Sequence, residues 1–465
     1  MRFGAFILKK GIVRTMKLFS ILTISLTFLL STTDAKRFLI KAYGDVPDGA
    51  EIITKYGNKT IALVDCNQTV ADDLMNIPTV DQVEEDEEVF LEPIREEYEV
   101  VTLPRGLAEQ DDLHPGLWGL DQLDHRVDGK YTFDNNGKGV VVYVIDSGVN
   151  RHAEFKLGSK SRVVRGKAFG GLGDWKDCNG HGTHVASTIA GKTFGVAKRA
   201  NIVSVRVFGC RGGTSWSNIV DSIYWVIRQK KKGIVNMSLG GSRSTIINEA
   251  VKDLYDAGFL PVVAAGNSGA NACFYSPASA AEAVTVGCMS RSNTQCSFSN
   301  DGSCVDVFAP GLSIYGADIP TGGRYLSGTS MSSPHVAGIA ALLKGKNKKW
   351  GVEKLTSEIL RLSAENTLLL RKPESPNLSA RIDNGRTSSP VTPFPTQFPT
   401  PFPTDVPEKP VKCSKKKFAK CRSSDSCKWV KKTGCRNNGW CGYKNSQACT
   451  DDPVCIWAGR CLKRP

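Results

Sequence analysis

At 465 residues the chain is too long for one compact core, so two or more folded units are expected. Its apolar share of 41% is ordinary for a globular protein, and its formal charge of +14 is unevenly spread. Residues 36–117 carry 19 acidic and 7 basic side chains, whereas residues 411–465 carry 3 acidic and 14 basic ones, which excludes a uniformly basic surface and implies parts with different tasks.

Met16–Ala35 contains a lysine, an apolar run from Leu18 to Leu30, and small polar residues ending in Ala35. This is the layout of a secretory signal peptide, and the run is too short to span a membrane. Residues 1–35 are assigned to it, with Met16 as an alternative start, and no other stretch is apolar enough to cross a bilayer. A secreted, extracellular protein follows, in which the 15 cysteines are read mainly as disulfides. Residues 36–110 alternate strand-like runs (RFLIKAYG, KTIALVDC) with a helical stretch and end in a Glu-rich connector, which predicts a small α+β domain. Residues 111–383 then alternate apolar strands (GVVVYVID, ANIVSVRVF, GIVNMSLG, FLPVVAAGN, EAVTVGC) with helices (HGTHVASTIAG, SNIVDSIYWVIRQ, TIINEAVKDLYDAG, SSPHVAGIAALLKG). Near-continuous apolar strands separated by helices predict an α/β fold, a mostly parallel, doubly wound sheet covered on both faces.

Residues 384–410 place proline at every second or third position, which forbids a packed element and favours an extended linker. In residues 411–465, Cys413, Cys421 and Cys427, then Trp429 and Cys435, are echoed by Cys441, Cys449 and Cys455, then Trp457 and Cys461. The tryptophan falls two residues after the third cysteine both times, so a basic, disulfide-stapled module of two repeats is expected. The tryptophans either form each repeat's small core or help a basic surface hold polysaccharide or another anionic polymer. Nucleic acid is not an expected partner of an exported, disulfide-rich module.

Three segments of the middle block place a reactive side chain among glycines at a strand end or helix start. VVVYVIDSGVN ends a buried strand in Asp146, at the edge where open α/β sheets build their sites. Taken alone, Asp146 reads first as a turn cap. CNGHGTHVAS sets His181 between two glycines with His184 three residues on; the spacing and the missing glutamate do not match a zinc-protease helix. GTSMSSPHVAG opens a helix, where a serine is either a cap or a nucleophile whose oxyanion can use the unpaired N–H groups. Asn267, in VVAAGNSG, offers a further amide donor. Acid, imidazole, amide and serine in this order point to nucleophilic catalysis.

VIDSGV, GHGTHVA, SLGG, AAGN and GTSMSSPHVAG together resemble the subtilisin-like serine proteases (peptidase S8), and within them the proteinase K and aqualysin branch. The resemblance implies a secreted serine endopeptidase with Asp146, His181 and Ser330 as triad and Asn267 in the oxyanion hole. It implies that Ser238, Leu239 and Gly240 on one side, and Gly212, Gly213 and Trp216 on the other, clamp an extended substrate. Ala265, Gly266 and Tyr275 would line the primary pocket; none is charged, so broad specificity with an apolar or aromatic preference before the cut is expected. Disulfides Cys178–Cys210 and Cys273–Cys304 are implied by the same resemblance, while Cys288 and Cys296 depart from it and either close a small loop or stay free. Asp306 resembles a calcium ligand or is a plain turn residue; no cofactor is required for catalysis, and structural calcium is the sole metal implied. Residues 36–110 resemble the family's inhibitory propeptide, whose acidity against a basic body suggests an electrostatic clamp, with autoprocessing between about Arg95 and Pro115. Of the N-glycan sequons, Asn236 is expected to be unmodified and Asn377 is a candidate. Protein substrates, the chain's own propeptide and a monomeric state complete the expectations.

Overall fold

The computed structural model describes residues 35–91, 117–124 and 128–382, with four short strands between 428 and 463. The expected signal peptide, processing connector, proline-rich linker and tail cysteine pairing lie outside the described residues, apart from those four strands. The chain divides into two units, residues 1–392 and 393–465, each described by itself.

The first unit begins with an antiparallel sheet of β1 (Lys36–Tyr43), β2 (Glu51–Tyr56), β3 (Lys59–Cys66) and β4 (Val80–Glu85), in the order β2-β3-β1-β4, with α1 (Gln68–Leu74) beside it. The period-two geometry of β1 sends Phe38, Ile40 and Ala42 to one face, where they meet Ala71 and Leu74 of α1. Leu39 takes the other face and joins the apolar cluster of the following domain. Both faces of this strand are therefore buried, and β5 (Glu88–Phe90) leaves the sheet to pair elsewhere.

After α2 (Trp118–Leu123) come β6 (Val141–Asp146), β7 (Val163–Ala168), α3 (His181–Ala190), β8 (Asn201–Arg206), β9 (Gly213–Ser215), α4 (Trp216–Ile227), β10 (Ile234–Met237), α5 (Thr245–Asp256), β11 (Leu260–Ala264), β12 (Val284–Met289), β13 (Val307–Pro310), the hairpin β14 (Ile314–Ala317) and β15 (Gly323–Leu326), α6 (Thr329–Lys346), α7 (Val352–Leu362), β16 (Ala364–Glu365) and β17 (Leu378–Ser379). Nine of these strands form one sheet, ordered β16-β17-β13-β12-β11-β10-β6-β8-β7, parallel except for the β16–β17 edge. Alternation along β6 explains the two helical layers. Val142 and Val144 pack with α3 and α6, while Val141, Tyr143 and Ile145 pack with α4 and α5. The α/β sheet expected from the sequence is thus present; α7 and the β14–β15 hairpin were not anticipated.

Strand order reverses at β6, which has β8 on one side and β10 on the other. The carboxyl ends of strands flanking such a reversal leave a crevice that side chains from several loops can line. In the second unit, β18 (Lys428–Val430) pairs with β19 (Gly434–Arg436), and β20 (Cys455–Trp457) with β21 (Cys461–Lys463). Trp429 stands opposite Cys435 and Trp457 opposite Cys461, so the sequence echo becomes two equivalent hairpins.

Candidate active site

Asp146 is the last residue of β6 and is fully buried. Its carboxylate accepts the Ser147 N–H at 2.7 Å and meets His181 Nδ1 at 2.8 and 3.0 Å through its two oxygens. His181 opens α3 behind Gly180, whose φ of +102° is a left-handed conformation that a side chain would disfavour. Gly182 is required for a different reason: a Cβ there would lie 2.1 Å from the Gly148 carbonyl oxygen and 3.0 Å from Asp146 Oδ1. Gly182→Ala is expected to push α3 off β6, costing about 1–3 kcal/mol of stability and at least about tenfold in turnover as the His–Asp contact loosens. Denaturant titration and steady-state kinetics on one preparation check both numbers.

Asp177 fixes the turn that carries His181, a role not read from the sequence. Its Oδ1 accepts from Ser147 Oγ, the Asn179 N–H and the Gly180 N–H, and its Oδ2 from the Thr183 N–H and Oγ1. A carboxylate at the first turn of α3 also meets the positive end of the helix dipole. The signal for it was a lone Asp upstream of GHGTH, too common a residue to single out.

Ser330 lies in the first turn of α6, the helix that Gly328 caps, and is buried. Its Oγ donates to the Ser238 carbonyl at 3.3 Å, and no hydrogen bond joins it to His181 in this structure. The expected partners thus converge on one crevice while the Ser–His contact is unformed, a common state before substrate is bound. Asn267 follows β11, and its Oδ1 accepts both the Thr329 N–H (2.8 Å) and Thr329 Oγ1 (2.9 Å). That pair commits the oxygen to the protein, leaving Nδ2 toward Gly328, where a Cβ would stand 3.3 Å away. Thr329 is therefore what aims the amide, and it was missed because a threonine beside a serine carries no distinct pattern.

His184 and His335 take no part. His184 Nε2 donates to the Ile314 and Arg324 carbonyls, and burial pushes its pKa down to about 3. His335 Nδ1 donates to the Met331 carbonyl and is likewise held neutral, at about 4. Buried imidazoles that donate to carbonyls are packing elements, as expected for His184, not metal ligands.

Ser238 follows β10, and its hydroxyl links the Asn236 amide to the Ser330 carbonyl and to Ser333 Oγ. Leu239 is buried with Trp216 in the layer under α4 and α5. Gly241 packs so closely that a Cβ would meet the Trp216 ring at 2.8 Å. Ala265 and Gly266 lead from β11 to Asn267 in the same crevice, Gly266 N–H donating to Thr329 Oγ1, and Tyr275 pairs with Ser242 beyond Gly240 and Gly241. Gly212 and Gly213 are already paired: β5 lies antiparallel on β9, with Phe90 opposite Gly213 and Val89 opposite Thr214, and the Leu91 N–H donates to the Gly212 carbonyl at 2.9 Å. Val89 is buried in the cluster that contains Trp216.

The contacts that seat residues 36–91 differ from a simple acid-on-base clamp. The basic partners come from the acidic block: Lys41 pairs with Glu249 (2.5 Å) and Lys59 with Asp253 (2.7 Å) on α5. Its acidic residues instead cap helices. Glu84 accepts Ser244 Oγ and the Thr245 N–H at the head of α5, and Asp86 accepts Ser217 N–H and Oγ at the head of α4. Helix ends, not lysines of the body, are what Glu84 and Asp86 answer.

Among the described residues three disulfides are formed, Cys178–Cys210, Cys273–Cys304 and Cys288–Cys296, and Cys66 is free and buried. Asp306 accepts the Thr285 N–H at 2.7 Å, and burial pushes its pKa up to about 7. No group of three His, Cys, Asp or Glu able to hold a metal occurs among the described residues. A calcium ion, which takes about six to eight oxygens, would have to draw all but this one carboxylate from backbone carbonyls and water. Asn236 is fully buried, and Asn377 uses both ends of its amide on the Leu368 backbone, which argues against a glycan at either.

Comparison with known proteins agrees with this geometry. Over 281 residues the chain is 44% identical to the alkaline serine exoprotease A of Vibrio alginolyticus, covering 59% of this chain and 50% of that one. It is 43% identical over 272 residues to an extracellular serine proteinase of Thermus sp. (strain Rt41A), covering 57% and 65%. The chain thus spans only about half to two-thirds of these relatives. A solved structure of a cold adapted subtilisin-like serine proteinase superposes with a TM-score of 0.55 at 42% identity, covering 58% of this chain and 98% of that one. No helix among the described residues is long and apolar enough to cross a membrane. The model of the subtilase family matches residues 137–384, the stretch that contributes Asp146, His181, Asn267 and Ser330, and the chain belongs to that family.

Proposed function

We propose that the chain is a secreted serine endopeptidase, made as a zymogen, that cuts proteins with broad specificity and prefers apolar or aromatic residues before the cut. The observation that carries the reading is the buried Asp146–His181 contact at the head of α3, set in the same crevice as Ser330 at the head of α6. Ser330 Oγ attacks the peptide carbonyl, His181 takes its proton and passes it to the leaving amine, and Asp146 holds the ring with Nε2 free to act as base. The Ser330 N–H and Asn267 Nδ2 receive the developing oxyanion, preorganised by the two bonds from Thr329. No step needs a metal; calcium at Asp306 would brace the start of β13 against β12.

Residues 36–91 act as the inhibitory propeptide in this reading, because β5 occupies the edge of β9 that an extended substrate would use. The two basic hairpins of the tail serve as an anchor to cell-wall or anionic polymers, and the enzyme works as a monomer. A fluorophosphonate probe tests the core of the proposal: the intact chain is expected to resist it, and material cut between about residues 95 and 115 is expected to be labelled at Ser330, located by peptide mass spectrometry. Absence of labelling and of casein hydrolysis in the cut form would sink it.

A further inference from the structure

The loop that carries His181 has two flanks. Asn179 faces the strand side: its Nδ2 donates to the Cys210 carbonyl at 3.1 Å and lies 3.7 Å from where a Cβ of Gly212 would stand. Gly180 faces β15, where Arg324 Nη2 lies 2.7 Å from the position of its absent Cβ. A peptide laid along β9 in the direction of β5 and carried past the Asn179–His181 turn would next meet β15, whose Arg324 lies against Gly180 and which leads into Ser327 and Ser330. The half of the substrate that receives the proton from His181 therefore leaves past Arg324.

Arg324 is partly exposed beside it. Its side chain is 28% exposed, but its Nε is buried and faces Asp318, so a substrate carboxylate would have to meet the terminal nitrogens. Its ion pair is with Asp318 Oδ1, 3.4 Å away, and Asp318 is itself 31% exposed and already accepts the Ile319 N–H. The glycine at 180 lets Nη2 of the guanidinium lie against the turn that carries His181. Arginine presents a fork of donors that matches a carboxylate, and at a half-exposed site such a pair changes relative rates modestly.

We propose that Arg324 is a specificity-determining residue for the leaving half of the substrate, favouring Glu or Asp within the first three residues after the cut. The inference rests on the protease reading above. The test uses the mature enzyme and a peptide series identical except for Glu, Gln or Lys at each of those three positions, at low ionic strength. The Glu-to-Lys ratio of kcat/KM is expected to be about two- to fivefold at one position or more. Arg324→Gln should bring that ratio to about one, and Arg324→Glu should invert it. Asp318→Asn, which removes the competing carboxylate, should raise it. A ratio of one in the parent enzyme, or a ratio that Arg324→Glu leaves unchanged, overturns the assignment. If no peptide of the series is cut, the protease reading itself fails and takes this inference with it.

Discussion

Ser330→Ala is expected to lower casein hydrolysis by about 10⁶-fold in kcat, with KM changed only a few-fold; the magnitude is that of subtilisin, the namesake of the family, carried over to this chain. The reason is local. Ser330 is the hydroxyl that shares the crevice with the buried His181–Asp146 pair, and the oxyanion donors remain when it is lost. What survives is the modest catalysis that binding and the oxyanion hole supply alone. Stability should hardly change, because the Oγ gives up one long hydrogen bond of 3.3 Å to the Ser238 carbonyl. The same substitution in the full chain should also stop maturation, so N-terminal sequencing of secreted Ser330→Ala protein would find residues 36–91 still attached. Full hydrolytic activity in this variant would mean that another group attacks the peptide.

Asp146→Asn is expected to cost about 10⁴-fold in kcat, again with little change in KM. The Ser147 N–H already takes one carboxylate oxygen at 2.7 Å, and an amide in its place would keep its oxygen there. Its NH₂, in the place of the second oxygen 3.0 Å from His181 Nδ1, would then donate to that nitrogen in competition with the retained oxygen at 2.8 Å. Where it donates, the imidazole proton moves onto Nε2, the nitrogen that has to accept from Ser330. Geometry is preserved and the tautomer is wrong, so the loss appears in turnover and not in substrate binding. Peptide kinetics with separate kcat and KM, beside a thermal melt, tells this outcome from simple unfolding; a variant with turnover near that of the parent would show that the carboxylate does not set the tautomer.

Much of the fold was legible because its strands are buried on both faces. Runs such as Val141–Asp146 and Val284–Met289 have no polar face to confuse their period, and the helices between them have the length of crossovers. The hairpin β14–β15 and helix α7 escaped notice because hairpin strands of four residues, Tyr and Gly among them, look like loop, and α7 is mainly polar outside Leu355, Ile359 and Leu362. The reactive residues were legible for a different reason: glycines crowd around them, and a glycine at 180, 182 or 328 marks either a left-handed turn or a close approach that any side chain would block.

By itself the sequence determined the kinds of groups present and their order: an acid at a strand end, an imidazole and a serine each at a helix start, an amide after a strand. Covalent order and residue chemistry are enough for that. Only the tertiary structure decided what supports them. Asp177 holding the His181 turn, Thr329 aiming Asn267, and Glu84 and Asp86 capping α5 and α4 join residues up to 161 positions apart. No local pattern encodes such partners, because a carboxylate or hydroxyl finds its donor through the path of the backbone and not through its neighbours in the chain. Arg324 belongs to the same class: one basic residue in a short strand until the fold sets it against Gly180, beside the histidine.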